Sequence, residues 1–216
     1  MPRDSYGSYR SQLVEVVRGK GVRDLAVLRA IGEVPRHVFV PAALLRQAYD
    51  DTSLPIGNGQ TISQPSTQAR ALEALRLTGR ERVLEVGTGS GYQTALLGLV
   101  AGQVFSIERV AALAERARNA LAAAGASNVS LLVGDGTLGW RAYAPYDAIV
   151  VAAASPAVPG PLLEQLAPGG RILLPLGNRD NQILTLVTVG VDGAPVATPL
   201  TDARFVPLLG RHGFDA

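Results

Sequence analysis

The 216-residue chain has no cysteine, which excludes disulfides, thiolate metal sites and a cysteine nucleophile. It has only two histidines, His37 and His212, far apart and without metal-ligand spacing, so no metal is expected. Aromatic residues make up only 5%, so the 47% that is apolar must build a core of Leu, Val, Ile and Ala. Lys20 is the one lysine. The net charge of +2 rests on scattered arginines, and without a basic run there is no nucleic-acid face. The N-terminus is polar, and no apolar run is long enough to span a bilayer. These absences point to a soluble, cytoplasmic protein with no membrane partner. No Pro/Ser-rich linker interrupts the chain. One domain is therefore expected, with residues 1–50 as a helical preface, 51–65 as a loop and 66–216 as an α/β core.

What is present centres on Val83-Leu84-Glu85-Val86-Gly87-Thr88-Gly89-Ser90-Gly91-Tyr92. Val83 to Val86 suit a buried strand, the glycines a tight turn, and Gln93 to Ala101 the following helix. Such a turn lets a ligand approach the main chain next to helix N–H groups that lack partners. Dinucleotide-binding proteins need G-x-G-x-x-G. Here the third glycine comes one residue early, and Glu85 stands two residues before the first. A carboxylate there suits a ligand carrying positive charge, such as the sulfonium and α-amino group of S-adenosylmethionine.

The rest of the chain alternates. Helices are expected at Tyr9 to Arg18, at Leu25 to Ile31 with Asp24 as cap, at Pro41 to Ala48 and at Ser66 to Leu77. Beyond the glycine turn, strands are expected at Gln103 to Ile107, Asn128 to Val133, Tyr146 to Val151, Arg171 to Leu176, Gln182 to Val189 and Arg204 to Leu208. Helices are expected at Val110 to Ala124 and Pro161 to Leu166. This pattern predicts a Rossmann-like, doubly wound, mostly parallel seven-stranded sheet with helices on both faces. Ligands bind beyond the carboxyl ends of such strands, which brings Glu85, Gly87, Glu108 and Asp135 to one rim. Glu108, ending the second strand of the core, can accept both ribose hydroxyls of an adenosine. Asp135, after the third, can accept the adenine amino group, with the Gly136 backbone close by. The loop from Asp51 to Pro65, rich in hydroxyls and amides, abuts a helix N-terminus where N–H donors could meet an anion.

Several stretches together resemble protein-L-isoaspartate O-methyltransferases. They are Gly57-Asn58-Gly59-Gln60-Thr61-Ile62-Ser63-Gln64-Pro65, the glycine turn through Thr94, Gly134-Asp135-Gly136, Ala144 to Ile149, Pro168 to Arg171, and Arg204-Phe205-Val206-Pro207-Leu208. The resemblance runs from the preface almost to the C-terminus. It implies S-adenosylmethionine as methyl donor, S-adenosylhomocysteine as product, and as acceptor the free α-carboxylate of an L-isoaspartyl residue in damaged proteins and peptides. It implies repair through a succinimide formed from the methyl ester. It also implies Ser63 as the active-site residue, with Ile62 and Gln64 on the cofactor side and Gly87, Thr88, Gly89 and Ser90 cradling the cofactor. A monomer is expected. Ser66 and Thr67 depart from the family's pattern, where a histidine or tyrosine and then methionine often follow the proline. The alternatives are a relative that methylates a normal aspartate in one peptide, and a non-catalytic module that only binds the cofactor.

Overall fold

Val83, Leu84 and Val86 are shut off from water, as are Val104, Phe105 and Ile107 on the neighbouring strand and Ile149 and Val151 on the other side. A strand apolar on both faces belongs in the middle of a covered parallel sheet. The computed structural model, which describes residues 5–190 and 193–215, places it there. The strands are β1 (Leu54–Gly57), β2 (Gln60–Ile62), β3 (Arg82–Val86), β4 (Gln103–Glu108), β5 (Val129–Val133), β6 (Tyr146–Val151), β7 (Leu166–Gly177), β8 (Gln182–Val189) and β9 (Pro195–Ala203). The main sheet runs β5-β4-β3-β6-β7-β8-β9. Neighbours from β5 through β7 pair parallel, and β8 pairs antiparallel with both β7 and β9. The chain winds outward from β3 to β5 and then returns to β6 beside β3, so the switch point lies between β3 and β6.

The helices are α1 (Gly7–Gly19), α2 (Leu25–Glu33), α3 (Pro65–Leu75), α4 (Tyr92–Val100), α5 (Ala111–Ala123) and the single turn α6 (Gly160–Leu163). Alternation along the strands splits the core. Val83, Val104, Ala148 and Leu173 pack with Leu72 of α3, Leu96 of α4, Leu113 of α5 and the preface. Leu84, Phe105, Ile149 and Ile172 face the other way, toward Leu162, Trp140 and Leu208. The first face carries the long helices; short helical turns, α6 and the C-terminal segment cover the second. Each wholly buried Leu, Ile or Val contributes about 1.5–3 kcal/mol. Asp24 caps α2 as expected, accepting from the N–H groups of Ala26 (2.8 Å) and Val27 (3.1 Å).

The structure departs from the sequence expectations in four places. The loop 51–65 contains an antiparallel hairpin, β1–β2, turned by Gly57, Asn58 and Gly59, which all have positive φ (87°, 55°, 69°). The third preface helix is a 3-10 segment, Ala42–Gln47, preceded by another at Arg36–Phe39. The helix expected at Pro161 to Leu166 is shorter, because β7 already begins at Leu166. The seventh strand is Pro195–Ala203, not Arg204 to Leu208. It is an exposed edge strand whose Pro195 and Pro199 and polar residues hide its β character from a propensity reading. Residues 204–208 run on past the last strand, held by two hydrogen bonds between the Phe205 main chain and the Gln182 side chain of β8, by a Pro207–Ala154 bridge and by Leu208 packed on the second face, and form a wall of the site.

Candidate active site

The ends of β3, β4 and β6 open into a cavity of about 600 Å³, closed by the β1–β2 hairpin, the start of α3 and residues 202–209. Its floor is the glycine turn. Gly87, Gly89 and Gly91 sit at φ +95°, +55° and +89°, where a side chain would strain the backbone. A Cβ on Gly91 would also press within 3.3 Å of Ala117 and Leu121, so the early third glycine seats α4 against α5. The main chain of Gly87 is tied to β4 by its N–H on the Ile107 carbonyl (2.8 Å).

Glu108 lines the cavity at the end of β4 and is only 5% exposed. Its Oε2 accepts from the Gly89 N–H (2.8 Å) and its Oε1 from the Val110 N–H (2.9 Å), so two main-chain donors fix the carboxylate. Each oxygen keeps a further lone pair for a ligand. Gly136 lines the cavity beside it, and an added Cβ there would sit 2.4 Å from Val86 Cγ1.

Two acids expected on this rim lie elsewhere. Glu85 is wholly buried beneath the turn and does not line the cavity. Its Oε2 accepts from Thr94 Oγ1 (2.5 Å) and Ser106 Oγ (2.7 Å), and its Oε1 from Gln93 Nε2 (3.1 Å). Burial pushes its pKa up to about 7 against the pull of those donors. It ties β3, β4 and α4 together from beneath the turn. Asp135 also stands outside the cavity lining. Its Oδ1 accepts from the Thr137 N–H (2.9 Å) and Oγ1 (2.7 Å), and its Oδ2 from the Arg211 N–H (2.8 Å). Burial would raise its pKa, but these bonds hold it below the ordinary value. Asp135 therefore anchors the C-terminal segment that walls the cavity.

On the opposite side stand Ile62, Ser63 and Gln64. Ile62 is buried, and Gln64 donates from Nε2 to Asp51 Oδ2 (2.9 Å). Asp51 also accepts from the Ser66 N–H (2.8 Å) and pairs with Lys20 Nζ at 2.5 Å. The anion expected at the N-terminus of α3 is thus supplied by the protein itself. Ser66 is buried outside the cavity lining, whereas Thr67 and Gln68 line it. The Ser63 carbonyl accepts from Arg36 Nη2 (3.1 Å), while its half-buried Oγ makes no hydrogen bond to any described residue. Thr88 Oγ1 meets Ser106 Oγ at 2.6 Å, and Ser90 Oγ accepts from the Tyr92 N–H at 3.3 Å. Sequence reasoning missed Arg36 and Asp51. Arg36, a charge set among Val34, Val38, Phe39 and Val40, was a signal that could have been read. His37 contacts Tyr49 and Tyr6, and His212 donates its N–H to Thr137 Oγ1, so neither ring lines the cavity. Among the described residues no cluster of acids or histidines could hold a metal.

A doubly wound sheet with this glycine turn, an acid ending β4 and Gly-Asp-Gly after β5 defines a class I methyltransferase. Comparison with known proteins narrows the class. The family model for protein-L-isoaspartate(D-aspartate) O-methyltransferase matches residues 8–213. A protein-L-isoaspartate O-methyltransferase of Anaeromyxobacter is 54% identical over 208 residues, 95% of this chain and 98% of its own. One from Geobacter metallireducens is 48% identical over 206 residues, 95% of each chain. A solved protein-L-isoaspartate O-methyltransferase superposes with a TM-score of 0.85 at 30% identity, over 94% of this chain and 67% of that one. A Plasmodium falciparum structure in complex with S-adenosyl-L-homocysteine, 24% identical, shares the fold with a TM-score of 0.81 over 93% and 98% of the two chains. The chain belongs to the protein-L-isoaspartate(D-aspartate) O-methyltransferase family and is an enzyme of that activity.

Proposed function

We propose that the cavity binds S-adenosylmethionine on its floor and presents to it, beside Ser63, the free α-carboxylate of an L-isoaspartyl residue in a damaged protein or peptide. The observation that carries this reading is the Ser63 hydroxyl: its backbone is held by Arg36, it lines the cavity, and no described residue takes its hydrogen bond.

The floor fits the cofactor on its own terms. The positive-φ glycines leave the main chain bare, the cavity of about 600 Å³ can hold a nucleoside with an amino-acid tail, and Glu108 keeps acceptor capacity for a diol. Glu108 would hold the ribose, Gly136 would border the adenine, and the main chain of residues 87–90 would support the rest. Glu85 acts beneath them by holding the turn in place. When bound, S-adenosylmethionine supplies an electrophilic methyl group.

The residues of the chain then have one task, placement. A carboxylate is already ionised near neutral pH, so no strong general base is needed. Ser63 orients the acceptor oxygen by donating a hydrogen bond, at a distance from which transfer can occur. The start of α3 is occupied by Asp51, which leaves the Ser63 side of the loop to receive the substrate carboxylate. The hairpin and residues 202–209 narrow the cavity and help exclude water as opposite charges neutralise. The amide nitrogen of the next substrate residue then attacks the methyl ester carbonyl and expels methanol, closing a succinimide, which water hydrolyses in part to normal aspartate.

Labelled S-adenosylmethionine offered with a matched pair of peptides, one with L-isoaspartate and one with L-aspartate, tests the reading. Base-labile label on the first alone is expected, and label on the normal peptide would overturn it. Ser63→Ala should lower kcat about tenfold to a hundredfold, the loss of one hydrogen bond of ~1–3 kcal/mol, with S-adenosylhomocysteine affinity within about twofold. An unchanged kcat would remove Ser63 from the mechanism.

A further inference from the structure

Arg36 is wholly out of water, one of the largest side chains so buried among the described residues. No carboxylate among the described residues touches it; Asp50 and Asp51 act on it only at longer range, and burial lowers its pKa below the ordinary value. A charge so placed is costly, and an apolar side chain of similar volume would fill the space without that cost. What the guanidinium adds is geometry, a rigid planar fork of donors. Its Nη1 donates to the Ala48 carbonyl (2.8 Å), and its Nη2 to the carbonyls of Thr52 (3.2 Å) and Ser63 (3.1 Å). Its Nε finds no partner among the described residues. Below it lies the ring of Tyr92, the first residue of α4 after the glycine turn, at 5.4 Å from the guanidinium carbon. One side chain thus joins the end of a 3-10 turn, the approach to β1, the junction of β2 with α3, and the start of the cofactor helix.

We propose that Arg36 is a positioning residue for methyl transfer, which holds the Ser63 carbonyl so that the Ser63 hydroxyl faces the acceptor carboxylate. The inference rests on the role given to Ser63 above. It predicts that Arg36 acts on the rate through Ser63, beyond its part in holding the fold.

A double-mutant cycle separates the two roles. Arg36→Lys keeps the charge but offers one nitrogen where two donate now. Arg36→Met removes the charge and approximates the volume. For each, kcat toward the isoaspartyl peptide is expressed per S-adenosylhomocysteine-binding site, measured by titration calorimetry, so that misfolded protein does not count. Both variants are expected to lower kcat per site about tenfold or more, since small misplacements can cost a hundredfold. In a Ser63→Ala background the same changes are expected to cost less than about threefold, because the hydroxyl they misplace is already gone. Full losses in both backgrounds would overturn the inference, as would kcat per site at the wild-type value. Failure of both variants to bind S-adenosylhomocysteine would also overturn it, leaving Arg36 as scaffold. If Ser63→Ala alone keeps the wild-type rate, the role of Ser63 falls first, and a slow Arg36→Lys then shows action through some other group.

Discussion

The two sides of the cavity are built on different plans. The floor is local: β3, the glycine turn and α4 follow one another within twenty residues, and Glu108 comes from the adjacent strand. The substrate wall gathers residues 36, 48–66 and 202–209, joined mainly by side chains bonded to distant main-chain groups. A local plan repeats from protein to protein because turn geometry dictates it. The wall has no such rule, and its few polar anchors decide where Ser63 stands. The floor should therefore govern cofactor affinity and the wall the handling of peptide.

The largest break in that division is expected from Glu108→Ala. It removes the acceptor proposed for the ribose diol and strands the N–H groups of Gly89 and Val110. Two charge-assisted bonds amount to about 3 kcal/mol, so the Kd for S-adenosylhomocysteine should rise about a hundredfold. At saturating cofactor the KM for peptide should stay near the wild-type value. A Kd that rises less than about fivefold would show that the floor binds the nucleoside by other groups.

Glu85→Gln sharpens the contrast between the two glutamates of the floor. An unfolded glutamate ionises near 4.5, whereas burial pushes Glu85 up to about 7. Between those values the folded chain holds a proton that the unfolded chain has lost. Its contribution to stability is thus fully present below about pH 4.5 and is lost as pH rises toward about 7. Glutamine cannot ionise, and it can still accept from Thr94 or Ser106. The difference in unfolding free energy between variant and wild type should therefore shift in favour of the variant by on the order of 2–3 kcal/mol between pH 4.5 and 8. Parallel curves across that range would mean that Glu85 ionises normally and that water reaches it.

These outcomes bear on how much could be read in advance. The seven-stranded sheet, the glycine turn and the place of Glu108 follow from apolar runs and turn residues that sit close together in the chain. Glu85 was misplaced although its strand gives the reason. It lies inside β3, one residue before the strand ends, and shares with Val83 the face that looks toward α4. The bonds of the Asp135 carboxylate were not legible in advance, because one of its donors, the Arg211 N–H, lies 76 residues away. Strand β9 was missed because an exposed edge needs no apolar alternation. Arg36 and Asp51 left only the trace of charges in an apolar or turn-rich stretch; their partners are main-chain groups that no side-chain pattern announces.

Asp51→Ala tests the wall at its other anchor. The change removes the bonds from Gln64 and the Ser66 N–H and the pairing with Lys20. Burial would raise the pKa of Asp51, but Lys20, Gln64 and Ser66 together hold it below the ordinary value. Its contribution is therefore present above the unfolded pKa and lost as pH falls through the lower folded one. At pH 7 the variant should lose about 1–2 kcal/mol, a few degrees in Tm, with KM for peptide rising more than Kd for the cofactor. The reverse pattern would show that this junction serves the floor.

The smallest effect is expected from Tyr92→Phe, and it isolates what a free hydroxyl means. Ser63 and Tyr92 each carry a hydroxyl that no described residue bonds. Ser63 lines the cavity, where the proposed substrate oxygen would meet its hydroxyl. That of Tyr92 is sealed in the core, and burial raises its pKa well above the ordinary phenol value. A buried polar group without a partner costs free energy, and removing it can be neutral or stabilising. Phenylalanine keeps the ring beneath Arg36. Tyr92→Phe should therefore change stability by less than about 0.5 kcal/mol or increase it by about 1 kcal/mol, as read from urea denaturation. A loss of more than about 1 kcal/mol would mean that the phenol does have a partner, such as a buried water between α4 and the preface. The two hydroxyls would then differ in who satisfies them and not in whether they are satisfied, and the free Ser63 hydroxyl would carry less weight as a mark of the substrate site.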